Sequence, residues 1–310
     1  MKLSSLAGRM STILPPLLAE YFREFVFPFK RAIQNPEVFT RPSVTGSVFS
    51  GITSDLHCYC FAIHGFFDWR NLVIAKAISE YYSSMPKLDF IEIGANIGTE
   101  TIGFGDICGE RGTVHAFEPL SSNLVELKKN CALNPNLSVI IYPVALGSHE
   151  AFQSFILPPV NFSGMGKIHD NIKTEEGKSI SVPVYPLDKY VHEFSHVKAI
   201  FIDVEGYEPA VLAGGTNTIE TVRPVIILEV SKTLLAENGY SNESIFSFFN
   251  NANYSCYNIG RVFIRKVIHG RLKHIDRHTN WICIPNESLE ILDKIRQKVF
   301  SYNFKPLTKL

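Results

Sequence analysis

The sequence predicts an α/β protein, a mostly parallel sheet with helices on both faces, preceded by a helical extension. Three observations carry this. From residue 87 onward, apolar runs of strand length alternate with stretches whose apolar residues recur at helical spacing. The first run, Asp89-Phe90-Ile91-Glu92-Ile93, leads into a tight turn, Gly94-Ala95-Asn96-Ile97-Gly98, that can open into a helix at Thr99-Glu100-Thr101-Ile102. Later strand-like runs also end in acids, at Glu118 and at Asp203 and Glu205. Acids at the carboxyl ends of parallel strands stand where open α/β sheets bind ligands.

The bulk numbers set limits. A chain of 310 residues, 45% hydrophobic and 19% charged, can bury a large core and is not a disordered chain. Its formal net charge is zero, so no overall field draws it to nucleic acid or to a membrane. Six cysteines, at 58, 60, 108, 131, 256 and 283, form no Cys-x-x-Cys pair and read as reduced core residues of a cytoplasmic protein. His57, Cys58, Cys60 and His64 lack the spacing of a structural zinc site. No run reaches the ~20 apolar residues of a spanning helix, and the broken apolar pattern of the N-terminus is unlike a secretory signal.

In chain order, residues 1–85 carry Phe, Tyr and Leu at helical spacing, broken at Pro15-Pro16, Pro28, Pro36 and Pro42. The start reads as a helical arm packed on the body or on a second copy; a surface-lying amphipathic helix or a transit peptide stays open. Asp68 is a candidate N-cap for a helix that buries Leu72, Ala75, Ile78 and Tyr82. Ser83-Ser84-Met85-Pro86 then divides the chain into an extension, 1–85, and a main domain, 86–310. Strands are expected at 88–93, 112–117, 138–142, 197–202 and 225–229. Ser121 or Ser122 is expected to cap the helix carrying Leu124, Leu127 and Cys131. Residues 147–186, with Pro158-Pro159 and Ser163-Gly164-Met165-Gly166, read as an inserted hairpin or flap with substrate contacts. Gly214-Gly215 closes a short helix, and Ser241 or Asn242 opens another. Tyr254–Ile259 and Trp281–Ile284 suggest a hairpin closing the sheet, before a terminal helix from Asn286.

The turn offers more than one chemistry. Its glycines let a ligand approach backbone N–H groups at a helix start. Glu92 can accept a hydrogen bond from a ligand ammonium or tie the loop. The spacing lacks the Gly-x-Gly-x-x-Gly of dinucleotide folds and the Lys-Ser/Thr of nucleotide triphosphate loops. Glu118 follows the turn by roughly 20 residues, where an acid accepts ribose hydroxyls. Asp203 and Glu205, two apart, would face one side of an extended chain and could share a proton, so that one acts as a general base toward an alcohol. They could also hold a divalent cation; no residue is assigned as a metal ligand. His149 and His169 are alternative bases. The basic segment 261–278, with Arg261, Arg265, Lys266, Arg271, Lys273 and Arg277, reads as a solvated hairpin or as a contact for an anionic acceptor. With Phe263 its one aromatic of the Phe, Tyr and Trp kinds, it lacks the row of interleaved exposed aromatics that would favour a nucleic-acid surface.

Glu92 to Gly98, Ala116-Phe117-Glu118-Pro119, Val144-Ala145-Leu146-Gly147, Ile202-Asp203-Val204-Glu205-Gly206-Tyr207-Glu208, Gly214-Gly215, Arg223-Pro224 and Leu228-Glu229 occur in this order. Together they resemble the FkbM family of S-adenosylmethionine-dependent methyltransferases, over roughly 87–230. Glu92 stands where that family usually has Asp. The resemblance implies a Rossmann-like, seven-stranded class I methyltransferase sheet with its last strand antiparallel, and O-methylation of a sugar, glycan or other small hydroxyl compound. It implies that Glu92, Gly94, Ala95, Asn96 and Gly98 hold the methionine part of the cofactor, with Thr101 matching the Ser/Thr usual at the helix start of that cofactor site. Glu118 would take the ribose, with Pro119, Leu120, Ala145 and Leu146 beside the adenine. Asp203 and Glu205 are the catalytic candidates. A nicotinamide oxidoreductase on a related sheet and a non-catalytic cofactor-binding scaffold are the competing readings. The role of residues 1–85 stays open between acceptor recognition, a lid and dimerisation.

Overall fold

The structure, a computed structural model, describes residues 13–169, 177–269, 272 and 278–310. Helices α1 (Pro16–Val26) and α2 (Phe29–Gln34) come first, each entered through a proline whose fixed φ suits a helix start. Strands β1 (Val38–Pro42) and β2 (Val48–Ile52) pair as an antiparallel hairpin. The extension is therefore not wholly helical, contrary to the sequence reading. Helices α3 (Leu56–His64) and α4 (Trp69–Tyr81) follow. Asp68 caps α4 as expected, accepting from the Arg70 N–H.

Next come β3 (Asp89–Ile93), α5 (Thr101–Cys108), β4 (Val114–Phe117), α6 (Ser121–Ala132), β5 (Val139–Tyr142) and the short β6 (Ala145–Leu146). Neither Ser121 nor Ser122 caps α6; Leu120 is its N-cap residue, and no side chain caps it. Residues 147–186 give β7 (Ala151–Ile156), β8 (Lys167–Ile168) and β9 (Ser179–Tyr185), which join β6 in a second sheet. The rest runs β10 (Val197–Ile202), α7 (Glu208–Gly214), α8 (Thr216–Val222), β11 (Val225–Ser231), α9 (Lys232–Glu237), α10 (Asn242–Asn251), β12 (Tyr254–Ile259), β13 (Ile264–Lys266), β14 (His278–Pro285) and α11 (Ile291–Asn303). Ser241 caps α10, in a reciprocal capping box with Ser244.

The large sheet has the order β13-β12-β14-β11-β10-β3-β4-β5. Strands β5, β4, β3, β10 and β11 are parallel, and β14 lies antiparallel to β11. Seven strands are thus arranged as the sequence reading expected. The short β13, paired with Tyr257–Ile259, adds an eighth at the edge. The order reverses between β3 and β10, the switch point where open sheets bind ligands.

Alternation along each strand feeds two cores. Phe90, Val114, Phe201 and Ile227 pack under α4, α5 and α11. Ile91, Phe117, Ile200, Ile226 and Trp281 pack under the helices of the other face. Helix α4, inside the extension, contributes Trp69, Leu72, Val73, Ile74, Ala75, Ala77 and Ile78 to the first of these cores. All six cysteines are free. Among the described residues, no helix is long and apolar enough to cross a membrane.

Candidate active site

A cleft of about 990 Å³ opens over the carboxyl ends of β3, β4, β10 and β11. Gly94, Asn96, Glu118, Asp203, Glu205 and Glu229 stand on its sheet side. A cavity of about 40 Å³ adjoins it, lined by Glu92, Ala95, Thr99, Glu100 and Asp203 among others.

The turn after β3 is held by its neighbours. Gly94 has φ +92°, and a Cβ there would lie 1.9 Å from the Asp203 carbonyl oxygen, so only glycine fits where the β3 and β10 ends touch. The N–H groups of Gly94 and Ala95 both donate to Phe117 O at 3.0 Å, that of Gly98 to Ala95 O, and that of Asn96 to Glu118 Oε2 at 2.8 Å. These donors are spent inside the protein. A ligand over the turn therefore meets carboxylates more than N–H groups, which disfavours a phosphate cradle.

Glu118 is the knot of the site. Its second oxygen, Oε1, accepts the Leu120 N–H at 2.8 Å, so one carboxylate fixes both the glycine turn and the entry to α6. Leu120 is thus tied to Glu118 through its backbone and does not line the cleft, whereas Pro119, Ala145 and Leu146 do. Burial pushes the Glu118 carboxyl up to about 7, against the opposing pull of its N–H partners.

Glu92 lies deeper. Thr101, fully buried, donates its hydroxyl to Glu92 Oε2 at 2.5 Å. Burial pushes the Glu92 carboxyl up to about 8, the Thr101 bond opposing. Thr101 and Gly98 reach neither cavity; Gly98, at φ +88°, packs against Leu127.

Asp203 and Glu205 do face one cleft, for a different reason than strand pleating. Strand β10 ends at Ile202, and Glu205 sits at φ +54° with Gly206 at +97°, a left-handed turn that brings the Glu205 carboxylate back over the sheet end. Glu208, buried, ties that turn, its Oε1 accepting the Val204 and Gly206 N–H groups at 3.3 and 3.2 Å. Asp203 keeps open surface toward the cleft while protein surrounds it. That enclosure, then the charges of Glu229 and Glu205, pushes its carboxyl well up. Burial and Glu229 push Glu205 to about 7.

Two members of the rim escaped the sequence reading. Glu229, at the end of the β11 side of the cleft, brings its carboxylate within 4.8 Å of those of Asp203 and Glu205. His278 Nε2 lies 2.8 Å from Glu229 Oε1, a pairing that raises the imidazole's pKa. The signal was faint: Glu229 closed a motif block, and His278 sat in a basic run far along the chain. His149 and His169 line neither cavity. Arg271, Lys273, His274 and Arg277 lie outside the described residues, while Arg261 lines the cleft.

The three segments flagged from sequence converge here. Helix α1 supplies Leu17, Glu20, Tyr21, Arg23 and Glu24 to the wall. The 147–186 insertion supplies Phe155 and the run Ser163 to Ile168, held by Ser163 N–H to Asp55 Oδ2 at 2.9 Å. His57 of α3 stacks on Phe67 with centroids 3.7 Å apart and lies 3.3 Å from the Asn96 side-chain amide.

An open α/β sheet of this order, with an acid-lined cleft at its switch point and no phosphate cradle, defines a class I methyltransferase fold. The profile of the Methyltransferase FkbM domain matches residues 92–256, more than half of the chain. The chain belongs to the FkbM methyltransferase family, the resemblance carried by its ordered sequence blocks. It is 31% identical over 138 residues to the hexuronic acid methyltransferase AglP of Haloferax volcanii, covering 44% of this chain and 53% of that protein. The chain thus spans about half the length of that curated relative. Among solved structures, it is similar to methyltransferase FkbM of Methylobacillus flagellatus, with TM-score 0.39 and 15% identity over 67% of this chain and 47% of that one. It is also similar to Aeropyrum pernix fibrillarin with bound S-adenosyl-L-methionine, with TM-score 0.36 and 14% identity over 69% and 76% of the two chains.

Proposed function

We propose that this protein is a cytoplasmic enzyme that transfers the methyl group of S-adenosylmethionine to a hydroxyl oxygen of a sugar, glycan or related small acceptor. The observation that supports it best is that Glu118, Asp203, Glu205 and Glu229 all line one cleft. Family membership and the hexuronic acid methyltransferase relative support the sugar acceptor.

The residues fit the donor. Its ribose diol needs an acceptor pair, and Glu118 has lone pairs left after its two N–H bonds. Its ammonium and sulfonium charges suit a site rich in carboxylates and poor in free N–H donors. Glu92, braced by Thr101, sets the floor below the turn. Pro119, Ala145, Leu146, Phe117 and Val144 offer apolar surface for a purine. Bound there, the donor supplies an electrophilic methyl group on sulfur.

The chain's own work is alignment and proton acceptance. Rate gains in methyl transfer come largely from holding nucleophile, methyl and sulfur in line. Asp203 and Glu205 are the bases in this reading: enclosure by the protein, then the charge of Glu229, raises both carboxyls, that of Glu205 to about 7, where a carboxylate accepts a hydroxyl proton best. A second reading rests on the closeness of the three carboxylates. They could hold a divalent cation that acidifies the hydroxyl instead. Dialysis against a chelator, then addition of Mg²⁺ or Mn²⁺, separates the two.

Calorimetric titration with S-adenosylhomocysteine tests the donor assignment. Micromolar binding is expected, and no heat at millimolar ligand would remove it. A panel of sugars and uronates with labelled S-adenosylmethionine then tests the acceptor class.

A further inference from the structure

Helix α1 buries Pro16 and Ala19 and packs Val26 beside Phe27 and Tyr59, yet it shows a second apolar face to solvent. Its charged residues Glu20, Arg23 and Glu24 line the cleft. Its apolar residues Leu18, Tyr21 and Phe25, spaced so that they share one helical face, point outward, with Phe25 87% exposed. A surface helix of a soluble protein keeps its outer face polar.

The apolar face continues beyond α1. Arg261 donates from Nη1 to the Tyr21 hydroxyl at 2.7 Å, and its guanidinium lies 6.0 Å over the Tyr21 ring. Two residues on, exposed Phe263 stacks with Phe300 of α11, centroids 6.0 Å apart, and Phe300 meets Phe304 at 5.1 Å. Helices α1 and α11 touch. Exposed cations flank this row: Arg261, Arg265, whose guanidinium lies 5.9 Å from the Phe263 ring, and Lys305 next to Phe304. The exposed acids of α1 and α11, Glu24 and Asp293, are paired with Arg23 and Arg296.

From the aromatic row and its cationic border, we infer that this face docks the protein on an anionic lipid surface. Aromatic and aliphatic side chains flanked by Arg and Lys are the make-up of an interfacial helix, which sinks its apolar side to the acyl boundary and holds anionic headgroups with its cations. A second copy of the chain fits less well. A two-fold contact sets each patch against itself, which would bring Arg261, Arg265 and Lys305 toward their own copies. Leu17 and Tyr21 belong to the cleft wall as well as to this helix, so the cleft opens beside the docked face.

Co-sedimentation of the full chain with vesicles is the test, using phosphatidylcholine alone and phosphatidylcholine with about a third phosphatidylglycerol. The chain is expected to sediment with the anionic vesicles, less so at 0.5 M salt, and to stay in solution with the neutral ones. The double variant Phe25→Ser, Phe304→Ser should weaken vesicle binding by about tenfold or more, since each ring contributes burial at the acyl boundary. Its melting temperature should not fall, because both rings are exposed. Arg265→Glu with Lys305→Glu should abolish the preference for anionic lipid. A wild-type chain that stays in the supernatant with anionic vesicles overturns the inference. Equal binding by the double variant does too. So does sedimentation velocity showing a dimer that Phe25→Ser dissociates, because a second copy then occupies the face.

Discussion

Replacing Glu118 by Ala removes two things at once, and the structure lets them be separated. In the folded protein its two oxygens hold the Asn96 and Leu120 N–H groups, each at 2.8 Å. At pH 8, where this carboxyl is ionised, each hydrogen bond to it contributes about 1.5–3 kcal/mol, and removing the buried charge returns part of that. Water from the cleft can re-partner both N–H groups in the variant, so the net loss is roughly 2–4 kcal/mol. For a chain of this size that corresponds to a melting temperature lower by roughly 3–6 °C. The second loss is the ribose contact, which should weaken S-adenosylhomocysteine by about 10–100-fold. The assay is calorimetric melting together with ligand titration at 15 °C, where the variant is still folded. An unchanged melting point would refute the double tie through the carboxylate. Full affinity at the lower melting point would show that Glu118 is structural only.

Other changes probe other joints of the site. Gly94→Ala puts a methyl group 1.9 Å from the Asp203 carbonyl, so the β3 and β10 ends must separate; soluble protein with normal ligand affinity would contradict the tight contact. Asp203→Asn should lower turnover by about 100-fold or more while cofactor affinity changes little, read from kcat against the dissociation constant. Three buried carboxyls, Glu92, Glu118 and Glu208, and the half-buried Glu205 have pKa values raised to about 8, 7, 8 and 7. The folded chain thus binds protons more tightly than the unfolded one, whose Glu residues titrate near 4.3. The stability these groups contribute is full below about pH 4 and is lost as pH rises toward about 8. The ligand-free melting temperature should therefore fall across that window, and a rise would count against it. Ionising the same groups strengthens the hold on a sulfonium cation. Affinity for S-adenosylmethionine relative to neutral-sulfur S-adenosylhomocysteine should grow from pH 6 to 8.5, and a flat ratio would show that the carboxyls do not feel the sulfonium.

The main sheet was legible because its signals are local. The run Asp89–Ile93, the glycine turn and the strand-end acid Glu118 each announce themselves within a few residues. The strand Tyr254–Ile259 is placed to the residue. What escaped depends on distant partners. Strand Val38–Pro42 pairs with β2 although it ends in Pro42, whose missing N–H an edge strand tolerates. Ser121 looked like a cap, yet the carboxylate of Glu118 supplies the local order at that helix entry. Glu229 and His278 meet only because β11 and β14 pair antiparallel, with Ser231 opposite His278. The conjunction of Asp203 and Glu205 was foreseen, but a left-handed turn at Glu205 makes it.

The burial of α4 has a consequence for how this chain can be cut and recombined. The region that matches the family begins at residue 92, and a natural joint appears at Pro86. Yet Trp69, Leu72, Val73 and Ile78 roof one side of the sheet, against Phe90 and Phe201 from beyond that joint. A gene segment starting at 86 would encode a sheet with an open flank. Exchanges of acceptor preference between relatives should therefore be made by swapping loops within an intact chain, with the crossover placed before Asp68 and never at the apparent linker.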